Sequence, residues 1–351
     1  MTLLVRDEAD IVDSQIAFHL HAGVDFVVAM DNGSQDGTTE VLERYAQAGY
    51  AHVMREPGDV MWQAEWVTNL ARLAATEFGA DWVINSDADE FWWPRAGSLK
   101  ETLATVPARY GVVRGCWRHF VPRLDDGAFF AERMTVRLRA PANPADKATV
   151  FHAHQKVAHR AHPNVVIEDG NHNAYAPGLD PIRAWHPLEV LHFSFRSVAQ
   201  LEQKAQGGWV RNPIREPTLH VRRLDEAFRE HRLQEFYDSF AVRDDALKQG
   251  LADGRLTMDT RLRNALRELS APDDEGGGFV LPDAGRRLAF ARPALGEDAI
   301  YADEASVLAE IDGVVRAEQR VEALEERLAT LEREPLSRLQ AKLADRARGS
   351  G

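Results

Sequence analysis

The stretch Trp82-Val83-Ile84-Asn85-Ser86-Asp87-Ala88-Asp89-Glu90-Phe91 joins an apolar run to an acidic turn. The apolar part predicts a strand over residues 81–85 that is covered on both faces. Ligands of an open α/β sheet bind beyond the carboxyl ends of its strands, which is where Asp87 and Asp89 fall. Two neighbouring carboxylates repel each other unless a cation lies between them, and oxygen ligands suit Mg²⁺ or Mn²⁺. The stretch therefore predicts a divalent-metal site, with a solvated acidic turn as the alternative.

The flanking sequence alternates short apolar runs with helical patterns. Upstream, strands are predicted over residues 3–5, 24–30 and 51–54, and helices over residues 11–21, 38–48 and 62–78. This β-α-β order predicts an α/β domain with a largely parallel sheet. After Pro94 the pattern is β-rich, with strands predicted over residues 111–117, 133–138, 149–152, 164–167 and 189–193, and it becomes helical from 198 to about 240.

A second polar turn, Asp31-Asn32-Gly33-Ser34-Gln35-Asp36-Gly37-Thr38, connects a predicted buried strand to a helix. Such a turn exposes backbone N–H groups and short polar side chains to a nucleotide. A structural interpretation is compatible with this one, because Asp36 is a suitable N-cap for the helix. Neither a Gly-x-Gly-x-x-Gly motif nor a P-loop is present, so a dinucleotide or NTPase site lacks its fingerprint.

A third element, Val5-Arg6-Asp7-Glu8, ends the first predicted strand. In this order the three elements resemble the family-2-like glycosyltransferases with the GT-A fold, in the branch that carries an Asp-x-Asp-Glu-Phe motif. The resemblance covers about residues 3–94 well and extends more loosely to about residue 197. It implies a mixed, mainly parallel sheet flanked by helices.

The same resemblance implies a role for each matching position. The donor, a nucleoside-diphosphate sugar, would be bound by Arg6, Glu8, Asp31, Asn32, Ser34 and Asp87. Asp87 would also face the metal, and Asp89 would be its main ligand. The divalent ion, Mn²⁺ or Mg²⁺, neutralises the leaving diphosphate. The acceptor is the hydroxyl of a glycan, a lipid-linked saccharide or another compound. Transfer of a hexose with inversion, in glycan or surface polysaccharide biosynthesis, is the implied function.

The catalytic base is sought in a later acidic segment. Glu168-Asp169-Gly170 follows the apolar run at 165–167, which makes Asp169 the candidate and Glu168 the reserve. Such a base deprotonates the acceptor hydroxyl. A polar turn after a strand explains the same residues equally well.

Histidines are concentrated in the second half of the β-rich region. Seven fall within 41 residues, namely His152, His154, His159, His162, His172, His186 and His192. No His-Glu-x-x-His spacing is present, which argues against a zinc site of that kind. By the resemblance, His192 would complete the metal shell or touch the diphosphate, with His172 as second choice. Arg196 would pair with phosphate oxygens.

Two tryptophans, Trp92 and Trp93, directly follow the acidic stretch. Their rings could stack on an acceptor sugar. The alternative is packing in the core, which is the more common role of a large aromatic side chain.

The composition excludes some classes of partner. The formal net charge is −13, which disfavours nucleic acid because a phosphate-tracking surface is basic. No apolar run approaches the ~20 residues that span a bilayer, and charges from Arg6 onward interrupt any signal peptide. With only Cys116, no disulfide can form within the chain, which fits a reducing cytoplasm. A start upstream of Met1 stays open, because the first predicted strand begins immediately.

The predicted domains are a catalytic domain over residues 1–240, a helical extension and linker over 241–285, and a C-terminal region over 286–351. Within the last, an amphipathic helix at about 305–334 carries apolar residues at two heptad positions, namely Val314, Val321, Leu328, Ala317, Leu324 and Leu331. This pattern predicts self-association. Docking on the catalytic domain, or peripheral binding to a membrane surface through the basic residues after Pro335, is the alternative.

Two other functions remain open at this level. A nucleotidyltransferase also uses paired aspartates on an α/β sheet, although it would usually have a basic, glycine-rich phosphate loop near the first strand. A non-catalytic scaffold built on a decayed transferase domain would not need Asp31, Asp87 and Asp89 intact.

Overall fold

The computed structural model describes residues 1–58, 62–95, 97–142, 150–182, 185–207, 219–271 and 278–282, together with 288, 290 and 324. The chain divides into two compact units, Met1–Gly296 and Glu297–Gly351. The predicted coiled-coil helix at 305–334 and its self-association lie outside the described residues, apart from Leu324.

The first unit contains twelve strands and ten α-helices within its described residues. The strands are β1 Thr2–Val5, β2 Val27–Asp31, β3 Ala51–Arg55, β4 Trp82–Asp87, β5 Glu90–Pro94, β6 Val112–His119, β7 Val136–Leu138, β8 Gln155–Arg160, β9 Val166–Ile167, β10 Ala174–Tyr175, β11 Leu188–His192 and β12 Leu256–Met258. The helices are α1 Val12–His21, α2 Thr38–Gln47, α3 Gln63–Thr76, α4 Leu99–Ala104, α5 Phe130–Arg133, α6 Val198–Gln206, α7 Leu219–Arg229, α8 Leu233–Phe240, α9 Asp244–Ala252 and α10 Arg261–Leu269.

Eight of these strands form one mixed sheet in the order β3-β2-β1-β4-β8-β6-β11-β5. The first four strands are parallel, and so are β6 and β11, whereas β8 and β5 run antiparallel to their neighbours. Helices flank this sheet. The predicted fold class, a GT-A-like mixed and mainly parallel sheet between helices, is therefore confirmed.

Both faces of the sheet are covered, which explains the continuous apolar runs in the sequence. Leu3 and Leu4 are neighbours on β1 and point to opposite faces, yet both are buried. Leu3 belongs to the core cluster that includes residues of α1, α2 and α10, whereas Leu4 packs in a second cluster with residues of α3. A strand with a covered face on each side has no solvent face that would select polar residues.

The strand predicted over residues 149–152 is wrong, because the strand in this part of the described chain is β8. Its pattern is hard to recognise, since Lys156 and His159 are both polar and both buried. The acidic turn also continues directly into a strand, β5, which pairs antiparallel with β11 and aligns Glu90 with His192.

The described residues after 240 pack on the first part of the chain. β12 pairs antiparallel with β7, and Leu262 and Leu266 of α10 belong to the same core cluster as Phe18. Residues 278–282, within the predicted linker, also make contacts, because Phe279 packs against this cluster and the Tyr50 hydroxyl donates to the Pro282 carbonyl oxygen at 2.6 Å. The glycines before Phe279 therefore do not prevent packing beyond them.

Among the residues that the structure describes, no helix is long and apolar enough to span a membrane.

Candidate active site

The three polar motifs meet at one edge of the sheet. Because β1, β2 and β4 are parallel, their carboxyl ends lie side by side, with Val5 paired to Asp31 and Leu4 paired to Asp87. The motifs that follow these strands in the sequence are thus brought together by strand register. The chain then turns at Ala88 and Asp89 and returns along β5.

Asp87 and Glu90 share one buried lysine. The Lys156 ammonium donates to Asp87 Oδ2 at 2.5 Å and lies 2.9 Å from Glu90 Oε1. Glu90 also accepts from the Trp117 indole N–H at 2.8 Å and from the Asp87 backbone N–H at 3.1 Å. Burial raises the pKa of Glu90 to about 8, although Lys156 opposes the shift. Both Glu90 oxygens are therefore engaged, and Glu90 serves to hold the turn together.

Asp89 faces a second lysine, an arginine and a histidine. Its Oδ2 accepts from Lys204 at 3.0 Å and lies 3.9 Å from Arg196 Nη1, while its Oδ1 is 3.7 Å from His192 Nε2. Burial opposes ionisation of Asp89, but the Lys204 ammonium and the Arg196 guanidinium hold its pKa below the usual range. Asp89 is thus a buried carboxylate that stays charged.

Three side chains in this cluster could hold a metal ion. Asp89, Glu90 and His192 each offer one ligand atom, and these atoms lie within 4.8 Å of one another. Burial lowers the pKa of His192 well below its ordinary value, so its ring is neutral, as a metal ligand must be. Because the oxygens of Glu90 already have partners, Asp89 Oδ1 and His192 Nε2 are the better-placed ligand atoms.

The predicted donor-binding residue Arg196 is fully buried in ion pairs within the protein. Its Nε and Nη2 donate to the two oxygens of Asp10 at 2.7 and 2.8 Å, Nη2 also donates to Glu8, and Nη1 donates to the Phe193 carbonyl oxygen at 3.3 Å. Burial raises the pKa of Glu8 to about 7, with Arg196 opposing the shift. Arg196 thus ties the end of β1 to the segment after β11, and these contacts favour a positioning role over contact with phosphate.

The turn after β2 is held by its own side chains. Asp31 Oδ1 accepts from the Ser34 backbone N–H at 2.9 Å, and its Oδ2 accepts from the Thr39 hydroxyl at 2.5 Å. The helix N-cap is Gly37, with φ at 103°, rather than Asp36, although Asp36 accepts the Thr38 backbone N–H at 3.0 Å. The predicted cap is therefore displaced by one residue, because a left-handed φ favours glycine.

Arg6 and Asn32 converge on the segment after β3. The Asn32 amide donates to the Gly58 carbonyl oxygen at 2.8 Å, and Arg6 Nη1 donates to the same oxygen at 3.3 Å. The Ser34 hydroxyl accepts the Asp7 backbone N–H at 3.0 Å and so joins the turns after β1 and β2. The predicted nucleoside-binding residues are therefore brought together, around a shared backbone.

The segment that contains the predicted base contacts the acidic motif through Asn171. A short 3₁₀ helix, Asp169–Asn171, follows β9, and Asn171 donates from Nδ2 to Asp87 Oδ1 at 3.0 Å. Glu168 accepts from the Asn173 amide at 2.6 Å. Asn171, which no sequence motif marks, makes the contact to Asp87. A base role for Asp169 or Glu168 stays a prediction.

An aromatic cluster forms one side of the acidic site. The His192 ring stacks on Trp117 with centroids 4.1 Å apart, and the His154 and His172 rings stack at 3.6 Å and meet Trp117 edge-on. Burial lowers the pKa of His119, which is 5.3 Å from His192 between ring centroids, to about 4. The alternation along β6 places Trp117 and His119 on one face, and it is the signal by which the sequence could have shown them.

The tryptophans after the acidic motif belong to the core. Trp92 is fully buried, and its backbone N–H donates to His19 Nε2 at 3.0 Å. Trp93 stacks on Phe18 with centroids 5.7 Å apart, and the Arg261 guanidinium lies 5.1 Å from its ring centroid. Core packing, rather than stacking on a sugar, accounts for both rings.

Comparisons with known proteins gave structural neighbours only. No family model and no curated protein sequence matches the chain. Among solved structures, it is similar to the mannosyltransferase PcManGT from Pyrobaculum calidifontis in complex with GDP-Man and Mn²⁺, at 18% identity over 76% of this chain and 78% of that chain, with a TM-score of 0.33. It is also similar to S. aureus TarS 1-349 in complex with UDP-GlcNAc, at 11% identity over 68% and 72%, with a TM-score of 0.32. The first neighbour is a mannosyltransferase and both are bound to a nucleotide sugar, but at such low TM-scores the fold assignment depends on strand order and register.

Proposed function

We propose that this chain is a glycosyltransferase that moves a sugar from a nucleoside-diphosphate donor to an acceptor hydroxyl with the help of a divalent cation. The observation that carries the proposal is the buried cluster at the carboxyl ends of β1, β4 and β11, where Asp89 Oδ1 and His192 Nε2 lie 3.7 Å apart. Ligand sites of open α/β sheets lie at this edge.

The charge balance of the cluster favours a divalent cation. The ion pairs of the site form two neighbouring groups. Lys156 pairs with Asp87 and Glu90. Arg196 pairs with Glu8, Asp10 and Asp89, and Lys204 also pairs with Asp89. The carboxylates outnumber the cations by one in each group. Burial raises the pKa of Glu90 to about 8 and that of Glu8 to about 7, so both side chains are partly protonated near neutral pH, and a bound Mn²⁺ or Mg²⁺ ion would favour their ionised forms. Such an ion supplies neutralisation of the leaving diphosphate.

Each residue of the site then has a defined task. Asp89 and His192 hold the cation, and Lys156 holds Asp87 and Glu90 in place beside it. Lys204, 3.0 Å from Asp89, is within reach of a diphosphate bound beside that carboxylate. The nucleoside lies against the turns after β1 and β2, which carry Arg6, Glu8, Asp31, Asn32 and Ser34. Asp169, with Glu168 as reserve, accepts the proton of the acceptor hydroxyl.

The proposal is tested by measuring which product is released from which substrate. We expect the protein to release nucleoside diphosphate from at least one member of a donor panel that includes GDP-mannose and UDP-GlcNAc, and we expect EDTA to abolish the release. A second set of reactions offers a nucleoside triphosphate and a sugar 1-phosphate. Pyrophosphate from the second set, with no diphosphate from the first, would identify a nucleotidyltransferase instead, and release of neither product would favour a scaffold.

We extend the proposal to three finer points that follow from the resemblance and the tail sequence. Transfer is of a hexose with inversion, in glycan or surface polysaccharide biosynthesis, and NMR of the first-formed product reports the anomeric configuration. The protein works in the cytoplasm, at the membrane periphery when its acceptor is lipid-linked. The helix at about 305–334 mediates self-association, which light scattering of the full chain and of a chain ending at Gly285 tests. If the two forms contain the same number of chains per particle, an oligomer through the tail is excluded.

A further inference from the structure

His119, which no motif of the sequence marks, lies directly beside the candidate metal ligand His192. The two residues are paired in register on the parallel strands β6 and β11, so their side chains extend from the same face of the sheet. His119 Nδ1 is 3.3 Å from His192 Nδ1, and His119 Nε2 is 2.6 Å from the carbonyl oxygen of His152. A chain of contacts thus runs from a backbone carbonyl through both rings towards Asp89.

The positions of the hydrogen atoms in this series of contacts follow from the backbone carbonyl oxygen at its start. A carbonyl oxygen only accepts hydrogen bonds, so Nε2 of His119 must carry its hydrogen. In a neutral ring the other nitrogen, Nδ1, is then an acceptor. The contact between the two Nδ1 atoms needs one hydrogen, which His192 must therefore supply. A neutral His192 with its hydrogen on Nδ1 has its lone pair on Nε2, the atom 3.7 Å from Asp89 Oδ1.

His119 is placed where a neutral ring is favoured, and burial also lowers the pKa of His192, although Asp89 lies 3.7 Å from it. His119 is buried, and a buried imidazolium without a paired carboxylate is costly. Within the part of the chain that the structure describes, no carboxylate forms an ion pair with His119. Its neighbours are instead a carbonyl, His192 and aromatic rings, which do not stabilise a positive charge as a carboxylate does.

We propose that His119 is a positioning residue, which holds His192 in the tautomer that presents the Nε2 lone pair to a divalent cation shared with Asp89. The inference rests on the proposed function for the cation but not for the sugar. The opposite tautomer would direct an N–H at the cation and prevent binding. Stacking on Trp117, at 4.1 Å and 20° between ring planes, keeps the imidazole plane fixed. The nitrogen that faces Asp89 is therefore decided by the hydrogen bond to His119, as is usual for metal-binding histidines.

The first test reads the tautomer directly in the full chain without metal. Nitrogen-15 NMR distinguishes Nδ1–H from Nε2–H rings, and the signals of His192 are assigned by their loss in His192→Gln. We expect His192 to be protonated on Nδ1 and His119 on Nε2. An Nε2–H tautomer for His192 would overturn the proposal, whatever the protein catalyses.

The second test measures Mn²⁺ affinity by electron paramagnetic resonance. His119→Phe keeps a ring but removes both nitrogens, and we expect it to weaken Mn²⁺ binding roughly 10–100-fold, the usual effect of losing a partner of a metal ligand. His119→Asn, whose Oδ1 can accept from His192 Nδ1, should restore most of the affinity. His162→Phe is the matched control and should bind Mn²⁺ like the unaltered protein.

The outcomes separate this inference from the proposed reaction. Unchanged Mn²⁺ affinity in a folded His119→Phe variant, or no Mn²⁺ binding by the unaltered protein, would overturn the role of His119. Mn²⁺ binding with the expected tautomer but without diphosphate release from any donor would instead overturn the transferase and leave the role of His119 supported. If His119→Phe fails to fold, the NMR measurement on the unaltered protein still decides.

Discussion

Replacing Asp89 with asparagine is expected to abolish Mn²⁺ binding and to lower the rate of sugar transfer by about a thousandfold. The substitution keeps the shape of the side chain but removes the charge that Asp89 Oδ1 and Oδ2 share. Charge stabilisation by a bound metal contributes several kcal/mol to the transition state, and about 4 kcal/mol corresponds to a thousandfold in rate. Calorimetric titration with Mn²⁺ and initial rates of diphosphate release measure the two effects.

The matched control for this variant is Asp81→Asn. Asp81 precedes the same strand, β4, at its opposite end, and it is exposed. The change therefore removes one negative charge from the same region of the chain without touching the cluster, and we expect rate and affinity to stay within about twofold, as for most surface substitutions. Full activity of Asp89→Asn in metal-containing buffer would show that the metal is bound elsewhere.

Replacing Arg196 with methionine is expected to destabilise the protein by about 3 kcal/mol. The guanidinium is fully buried between Glu8 and Asp10, and losing one partner of a buried ion pair costs about 3–5 kcal/mol because the remaining charges are left unpaired. The lower end applies here because the Asp10 side chain is 38% exposed and solvent screens it. Urea unfolding, followed by circular dichroism, measures the loss.

An exposed arginine provides the comparison for Arg196. The Arg229 side chain is 73% exposed and pairs with Asp225 one helical turn away on α7, so Arg229→Met should cost no more than about 0.5 kcal/mol. A phosphate-binding Arg196, as the resemblance implies, predicts a different pattern. In that case Arg196→Met would keep its stability and lose affinity for nucleoside diphosphate, which would contradict the positioning role.

The parallel half of the sheet was predictable because local sequence determines it. The runs that became β2 and β4 are apolar on both faces and end in turn residues, so a short window of sequence contains the whole signal. Strand β8 was not predictable from sequence, because its Lys156 and His159 are polar residues whose burial depends on partners elsewhere in the chain. The two carboxylates that pair with Lys156 belong to Asp87 and Glu90. Nothing in residues 155–160 alone indicates these partners.

The residues of the candidate site also differ in whether local sequence predicts them. Asp31, Asp87 and Asp89 follow strands directly, so their position at the sheet edge could be inferred from sequence. The positions of Lys156 and Lys204 could not be inferred in this way, because a charged residue in a sequence is most often exposed to solvent. Arg196 was singled out from sequence, but for a different role. Its place in the motif order suggested phosphate binding, whereas its guanidinium donates to Glu8 and Asp10.

The ion pairs of the site also set an order of events during synthesis on the ribosome. Lys156 follows Asp87 by 69 residues, and Lys204 follows Asp89 by 115. At about 5–20 residues per second, the second interval lasts roughly 6–23 s. Until Lys156 is made, Asp87 and Glu90 lack their ion-pair partner, and β8 has still to enter between β4 and β6, which are both made earlier. Asp89 gains Arg196 and then Lys204 only later, so a chain that stops before Arg196 would keep this carboxylate without either cation.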